Sequence, residues 1–411
     1  MVVEKSAEWG EPLYIAALDV EKAFDRVHHA DLFEALLRCG AGNRLCTTLR
    51  TLYCDLQAYV VLWPGAESRR FPVQRGVRQG DPLSTLLFNL VLNEVLEDVR
   101  ATWDRRGYGT NVGKVGSDVR LTHVAFADDC TLVARSWLSL KRMILTFRDS
   151  LAARGMCLHP TKCKVQTNDD TWGKRGTVEL ADNFSVEILA GGAPIIVLGT
   201  ALTMQNSTQF EVRNRISAGW RLFWSMKRLL LNSNASVKRR LKLFDATVGS
   251  CVLWCAQSWA PRVEELRLLI STRRAMLRRI VRTPRTPDSD YITWFRDATH
   301  KAEHVANQAR IRDWAQAHHE MKWSWAGHVS RRPPSSWVWK TTTWRDSYWQ
   351  ALVHGCASRP LRPSRRRWLR WEDPLQRYCA EEALGDWTSF ANDRGAWSER
   401  LRMFSSWAST G

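Results

Sequence analysis

The apolar positions in the first half of the chain keep changing their period. Pro12 to Leu18 is a short apolar run that ends at Asp19, with the length and character of a buried strand, and a helix-like pattern follows soon after. Thr122–Ala127 and Cys130–Ala134 are two further strand-like runs, so a hairpin is predicted with Asp128 and Asp129 at its tip. Between these regions, LSTLLFNLVLNEVL has the spacing of a long amphipathic helix. A tight loop with Gly76, Gly80 and Pro82 leads into it, and Ser84 or Thr85 is the expected cap. Such segments alternate from about Pro12 to Thr203, which predicts an α+β fold.

From about Thr208 to Arg282 the pattern becomes purely helical, with arginine between the apolar positions. In RVEELRLLISTRRAMLRRIVR, Val263, Leu266, Ile270, Leu277 and Ile280 are expected to share one face, with Arg267, Arg274 and Arg278 elsewhere. TPRTPDSD, starting at Thr283, predicts a break. Beyond it the chain is rich in Trp and Arg, and no internal repeat of fixed period is evident.

Composition changes this picture in one respect. The 411 residues suffice for two or three domains, but 60 Lys and Arg against 42 Asp and Glu leave a net charge of +18. Such a surplus points to a polyanion partner, whose condensed counterions are released on binding; the alternative is a merely solvated basic surface. The N-terminal segment lacks the apolar centre of a signal peptide, and no run reaches the roughly 18 apolar residues of a membrane span, so an intracellular protein is expected. The 10 cysteines are scattered. Cys251 and Cys255 lie one helical turn apart without a second Cys or His pair at zinc spacing, so reduced thiols are expected instead of a structural zinc.

The paired acids then need an explanation. A turn alone accounts for one Asp, but turn Asp is commonly followed by Gly or Asn, and here Cys130 and Thr131 follow. Adjacent carboxylates repel unless a cation lies between them, and Mg²⁺ takes one or two carboxylates together with phosphate oxygens. Asp19, at the end of a predicted strand, is a candidate third acid; its alternative is a helix N-cap. Asp25 is a weaker candidate. In VQRGVRQGDPLS, glycines allow close backbone approach to a ligand, and Arg75, Arg78 and Gln79 suit phosphate or base edges.

LDVEKAFD, RQGDPLS and FADD, in that order, resemble the palm motifs of reverse transcriptases of non-LTR (LINE-type) retrotransposons. LHPTKCKVQ and IIVLGTAL resemble the family's later lysine-bearing and primer-grip motifs. The helices around VKRRLKLFDATVGSCVLWCAQSW look like its thumb, and WAGHVSRR is similar to tails carried behind it. The resemblance implies a right-hand polymerase palm, an antiparallel sheet with packed helices and partial fingers over residues 1–204. It further implies a helical thumb over 205–284 and a basic, Trp-rich C-terminal helical region over 285–411.

For the site, the resemblance implies that Asp19 and Asp128, with Asp129 and the Val20 carbonyl, hold two Mg²⁺ (or Mn²⁺) ions. Phe24 would exclude the ribose 2′-hydroxyl, the alternative being that it is simply core, and Arg78, Gln79 and Gly80 would contact template and nucleotide. Lys162 would protonate the leaving pyrophosphate, the alternative being an ordinary surface lysine, and Leu198–Gly199 would form the primer grip. The implied partners are an RNA template, a DNA primer and deoxynucleoside triphosphates, with no membrane and a nuclear site of action. The sequence departs from the family at Thr85, where proline is common after PLS, and at IIVLG, where a charged or aromatic residue often precedes Leu-Gly. The family's fingers motifs would precede Asp19 and are not in this sequence. Two rival readings follow: a silent nucleic-acid-binding remnant, and an RNA-dependent RNA polymerase, against which Phe24 and FADD in place of Gly-Asp-Asp argue.

Twelve of the 22 tryptophans lie beyond Lys301. Interleaved with arginine they suit single-stranded nucleic acid; the alternative is that Trp314, Trp323, Trp325 and their neighbours are helix cores. The second is expected for most of them, and nucleic-acid contact for RPSRRRWLR, with Arg365, Arg366, Arg367 and Trp368.

Overall fold

In a computed structural model, residues 1–54, 56–78, 80–113, 118–169, 176–190, 192–205, 207–344 and 370–410 are described. Gln79, Arg365, Arg366, Arg367 and Trp368 lie outside the described residues. The chain forms two compact units. One is Trp9–Gly199; the other joins Met1–Glu8 to Thr200–Trp344 and the C-terminal helices.

The first unit is built on a six-stranded sheet. Its strands are β1 (Tyr14–Asp19), β2 (His123–Phe126), β3 (Asp129–Ala134), β4 (Lys164–Thr167), β5 (Gly176–Ala181) and β6 (Phe184–Leu189), in spatial order β5-β6-β4-β1-β3-β2. All neighbours run antiparallel except β4 and β6. β1 is central, which is why YIAAL is an unbroken apolar run: Tyr14, Ile15, Ala16 and Leu18 are all buried. After β1 come α1 (Ala23–Arg26) and α2 (His29–Arg38), and then the long α3 (Pro82–Arg105) and α4 (Trp137–Ala152). α3 buries Leu87, Val91, Val95, Val99 and Trp103, the four-residue spacing of one helical stripe. Its core joins that of β1, β3 and α4. The helix starts one turn earlier than expected. Asp81, not Ser84 or Thr85, is the N-cap, accepting the Leu83 N–H at 2.9 Å with Pro82 in the first turn, while Ser84 is buried on the inner stripe.

The second unit is helical, and described here are α5 (Ser207–Ser225), α6 (Val237–Phe244), α7 (Val263–Val281), α8 (Tyr291–Gln308), α9 (Trp314–Ser330), α10 (Asp373–Glu381) and α11 (Leu401–Thr410). The buried face of α7 is rotated from the expected one: Leu269, Thr272, Arg273, Met276, Leu277 and Ile280 face inward, and Val263 is exposed. Arg273 can be buried because its guanidinium donates to the Arg312 carbonyl at 2.9 Å and lies 3.6 Å from Asp313. Helical spacing cannot reveal such a satisfied arginine.

Trp314 and Trp323 are core residues as expected, whereas Trp325 is partly exposed beside His328. The Trp323 ring stacks on Trp397 at 3.6 Å, and each indole N–H donates to the other residue's carbonyl (2.8 and 3.0 Å). The N-terminal helix, Val2–Trp9, ties into this unit: Lys5, 2% exposed, donates from Nζ to the carbonyls of Thr342 (2.6 Å) and Trp344 (2.7 Å), and Glu4 accepts the Trp371 N–H at 2.8 Å. No helix among the described residues is long and apolar enough to cross a membrane.

Candidate active site

β1 and β3 bring three acids to one edge of the sheet. The register places Asp19 directly opposite Asp129, and Phe126 also pairs with Asp129, so Ala127 and Asp128 form the two-residue connection of the hairpin. Ala127 takes a positive φ of 50°, which such a tight connection demands. Directly opposed residues of antiparallel strands share a face, with α-carbons about 4.5–5.5 Å apart. Only Asp128 is therefore a turn residue; Asp129 is the first residue of a strand, a distinction the sequence pattern did not draw. Asp19 is in the strand, not a helix cap.

The electrostatics agree with this placement. The Asp129 carboxyl is held above the usual range, first by partial loss of solvation and then by Asp128 and Asp19. Lys162, largely exposed, lies 3.6 Å from Asp19 and offers positive charge at the same edge. The loop before β4 is pinned here by the backbone: His159 N–H donates to the Asp19 carbonyl at 2.7 Å, and Glu21 N–H to the Cys157 carbonyl at 2.9 Å. Val20 bridges Leu158 between these two bonds, and its own N–H and carbonyl take no part in them. The sequence pattern of this loop shows its lysine but not the anchoring bond, since a backbone N–H carries no pattern.

Phe24, on α1, is half-buried against Phe88, with ring centroids 4.9 Å apart. Its carbonyl accepts the Val77 N–H at 2.8 Å, so the loop bearing Arg78 and Gly80 is fastened to α1. Arg78 and Gly80 are both exposed, and Gly80 has φ +89°. His29 was not singled out from sequence, yet its ring nitrogen lies 3.0 Å from the Gly76 carbonyl on the same loop. Leu198 and Gly199 form a turn in which both residues have positive φ, 49° and 73°. Asp25 is exposed on α1, with its carbonyl against Gly76.

Among the described residues, no three His, Cys, Asp or Glu side chains converge closely enough to enclose a metal ion on their own. The donor set still suits Mg²⁺, which takes few protein carboxylates and completes its shell with water and phosphate.

Comparison with known proteins gives this arrangement its class. Residues 3–202 match the family described as reverse transcriptase (RNA-dependent DNA polymerase). The chain is similar to the Pol polyprotein of the type-1 retrotransposable element R2 of Popillia japonica, 34% identical over 36% of this chain and 20% of that protein. It is also similar to the R2DM polyprotein of Drosophila melanogaster, 32% identical over 40% of this chain and 14% of that protein. A transposon-derived protein of Caenorhabditis elegans is 24% identical over 69% of this chain and 95% of its own length. Among solved structures, the telomerase of Candida tropicalis in complex with a fragment of telomeric RNA is similar with a TM-score of 0.33 and 15% identity, over 72% of this chain and 47% of that one.

The fold and the match define a reverse transcriptase domain. This part of the chain belongs to that family, and within it to the non-LTR retrotransposon kind. The matched part covers a fifth or less of the two R2 polyproteins.

Proposed function

We propose that the chain copies RNA into DNA by two-metal nucleotidyl transfer, with the Trp9–Gly199 unit as palm, the helices of residues 205–284 as thumb and residues 285–411 as a basic C-terminal region. The observation that carries this reading is the direct opposition of Asp19 and Asp129 beside the Asp128 turn. Two bound Mg²⁺ (or Mn²⁺) ions would activate the primer 3′-hydroxyl and neutralise the triphosphate. The chain's own contribution is placement. Asp19 and Asp128 are the principal ligands, Asp129 adds negative charge, and the Val20 carbonyl supplements them. On this reading Lys162, which lies beside Asp19, gives a proton to departing pyrophosphate.

Phe24 is the sugar-selecting ring. Its seat against Phe88 stiffens it, and the Val77 bond sets it beside the loop whose Arg78, Gln79 and Gly80 meet template and nucleotide. The Leu198–Gly199 turn holds the primer end. The substrates on this reading are an RNA template, a DNA primer and deoxynucleoside triphosphates, used at chromosomal DNA in the nucleus.

Primer extension on an RNA template with deoxynucleotides and Mg²⁺ tests the proposal. Extension by the parent and its loss in Asp128→Ala support it. Template binding without extension in both indicates a silent remnant, and preferential use of ribonucleotides indicates an RNA polymerase; either result overturns it.

A further inference from the structure

The basic surplus of the chain is concentrated. From Arg213 to Arg285 there are seventeen Lys and Arg against three acids, Asp245, Glu264 and Glu265, so this stretch carries +14 of the total +18. Of those acids, Glu265 is buried and Asp245 pairs with Arg312 at 3.1 Å. The surface of this part of the helical unit is thus strongly positive.

Exposed rings lie on the same surface, where α5 and α8 pack against α7. Trp224 is 46% exposed, Tyr291 54% and Phe295 39%. Each has a guanidinium beside it: Arg279 lies 5.9 Å from the Trp224 ring and 5.1 Å from Trp220, Arg278 is 4.2 Å from Phe295, and Arg285 is 5.5 Å from Tyr291. Trp220 and Trp224, one helical turn apart, are stacked within 20° of parallel. Arg278 and Arg279 are consecutive, so the two ring clusters meet along the last turns of α7. The neighbouring acids are few and mostly engaged: Glu303 holds Arg274 at 2.7 Å, and Asp290 caps α8 through the Thr293 N–H, leaving Asp288 on the loop between.

Large exposed rings in a monomer mark a surface that something covers. An apolar protein face would have to strip water from several guanidinium groups with no counter-charge. A nucleic-acid duplex supplies phosphates but keeps its base faces stacked inside. An unpaired strand offers both a phosphate for each cation and a flat base for each ring.

We infer that Trp224, Tyr291 and Phe295, with Arg278, Arg279 and Arg285, form a binding site for single-stranded nucleic acid on the helical unit. Bases stack on the rings and phosphates sit against the guanidinium groups. The site needs no nucleotide turnover, so it stands or falls separately from the polymerase reading.

The test measures binding of the full chain to fluorescein-labelled oligouridylate and oligothymidylate, without nucleotides or Mg²⁺, against a self-complementary hairpin competitor. Trp224→Ala and Tyr291→Ala are each expected to weaken single-strand binding about tenfold, with Trp224→Phe restoring most of it. Arg279→Ala is expected to lower the salt dependence as well, by about one released counterion. The two homopolymers distinguish RNA from DNA as the strand preferred. Far-ultraviolet circular dichroism checks the fold of each variant, and Tyr291→Ala, at an exposed helix start, serves if Trp224→Ala unfolds. Binding unchanged within twofold in both ring variants, or a hairpin that competes better than the single strands, overturns the proposal.

Discussion

Replacing Gly76 by alanine adds one methyl group at the point where the loop bearing Arg78 and Gly80 meets α1. Gly76 has φ +96°, and a Cβ there would lie 3.1 Å from the Asp25 carbonyl oxygen and 3.3 Å from its α-carbon. Those are backbone atoms, which cannot rotate aside. A left-handed conformation costs a non-glycine residue about 1–2 kcal/mol. Stiffening the unfolded chain returns roughly 0.4–1 kcal/mol. Relieving the contact moves the loop by a few tenths of an ångström and stretches three bonds: Gly76 N–H to the Val27 carbonyl (2.8 Å), Val77 N–H to the Phe24 carbonyl (2.8 Å), and His29 to the Gly76 carbonyl (3.0 Å). A typical bond contributes about 1 kcal/mol net, so partial loss of three adds on the order of 1 kcal/mol. The expected net destabilisation is about 1–2 kcal/mol, read as a lower urea midpoint with unchanged slope. Gly65 is the control. Its φ is +91° but no described residue lies within 4 Å of its Cβ position, so Gly65→Ala carries only the backbone cost. Equal midpoints for the two variants, or a Gly76→Ala protein as stable as the parent, would refute the reasoning from contact.

Asp129→Asn is expected to abolish extension yet slightly stabilise the fold at neutral pH, by a few tenths of a kcal/mol for so exposed a site. Because the folded-state pKa of Asp129 is raised, its contribution to stability is present in acid and lost as pH rises through that pKa. The difference in melting temperature should therefore vanish below the ordinary Asp range. Phe24→Val should raise ribonucleotide use relative to deoxynucleotides about tenfold or more in primer extension, and an unchanged ratio would remove Phe24 from its assigned role. His319 is buried on α9 beside His318 and Lys322, neither ring nitrogen has a hydrogen-bond partner among the described residues, and burial and Lys322 push its pKa down to about 4, against a raising effect of Asp313. Its contribution is present above pH 6.5 and lost as pH falls toward 4, so acid melts of His319→Leu should be flatter than those of the parent by roughly 3 kcal/mol. Gly327→Ala favours the helix intrinsically by about 1 kcal/mol. Its Cβ would, however, meet Trp397 Nε1 at 2.5 Å, so a net loss of about 1–3 kcal/mol by urea titration is expected.

What could be read from the sequence was whatever has a period or a motif. The run from Pro12 to Leu18 is apolar on both faces because β1 is central, and that pattern placed Asp19 at a strand end. The alternation around FADD gave the hairpin, although only pairing could show that Asp129 belongs to the strand and faces Asp19. Long-range satisfaction stayed hidden. Arg273 and Lys322 look like surface cations until their carbonyl partners, Arg312 and Trp371, are seen. His29 and the pinning bond from His159 to Asp19 are similarly silent, since one ring nitrogen and one backbone N–H carry no pattern.

The wiring of Lys5 and Glu4 sets an order of events during synthesis. Their helix leaves the ribosome more than three hundred residues before the carbonyls of Thr342 and Trp344 and the amide of Trp371. Until then neither charged side chain can be buried without loss. This helix must wait in solvent while the sheet unit assembles, and it docks only once Thr342, Trp344 and Trp371 arrive.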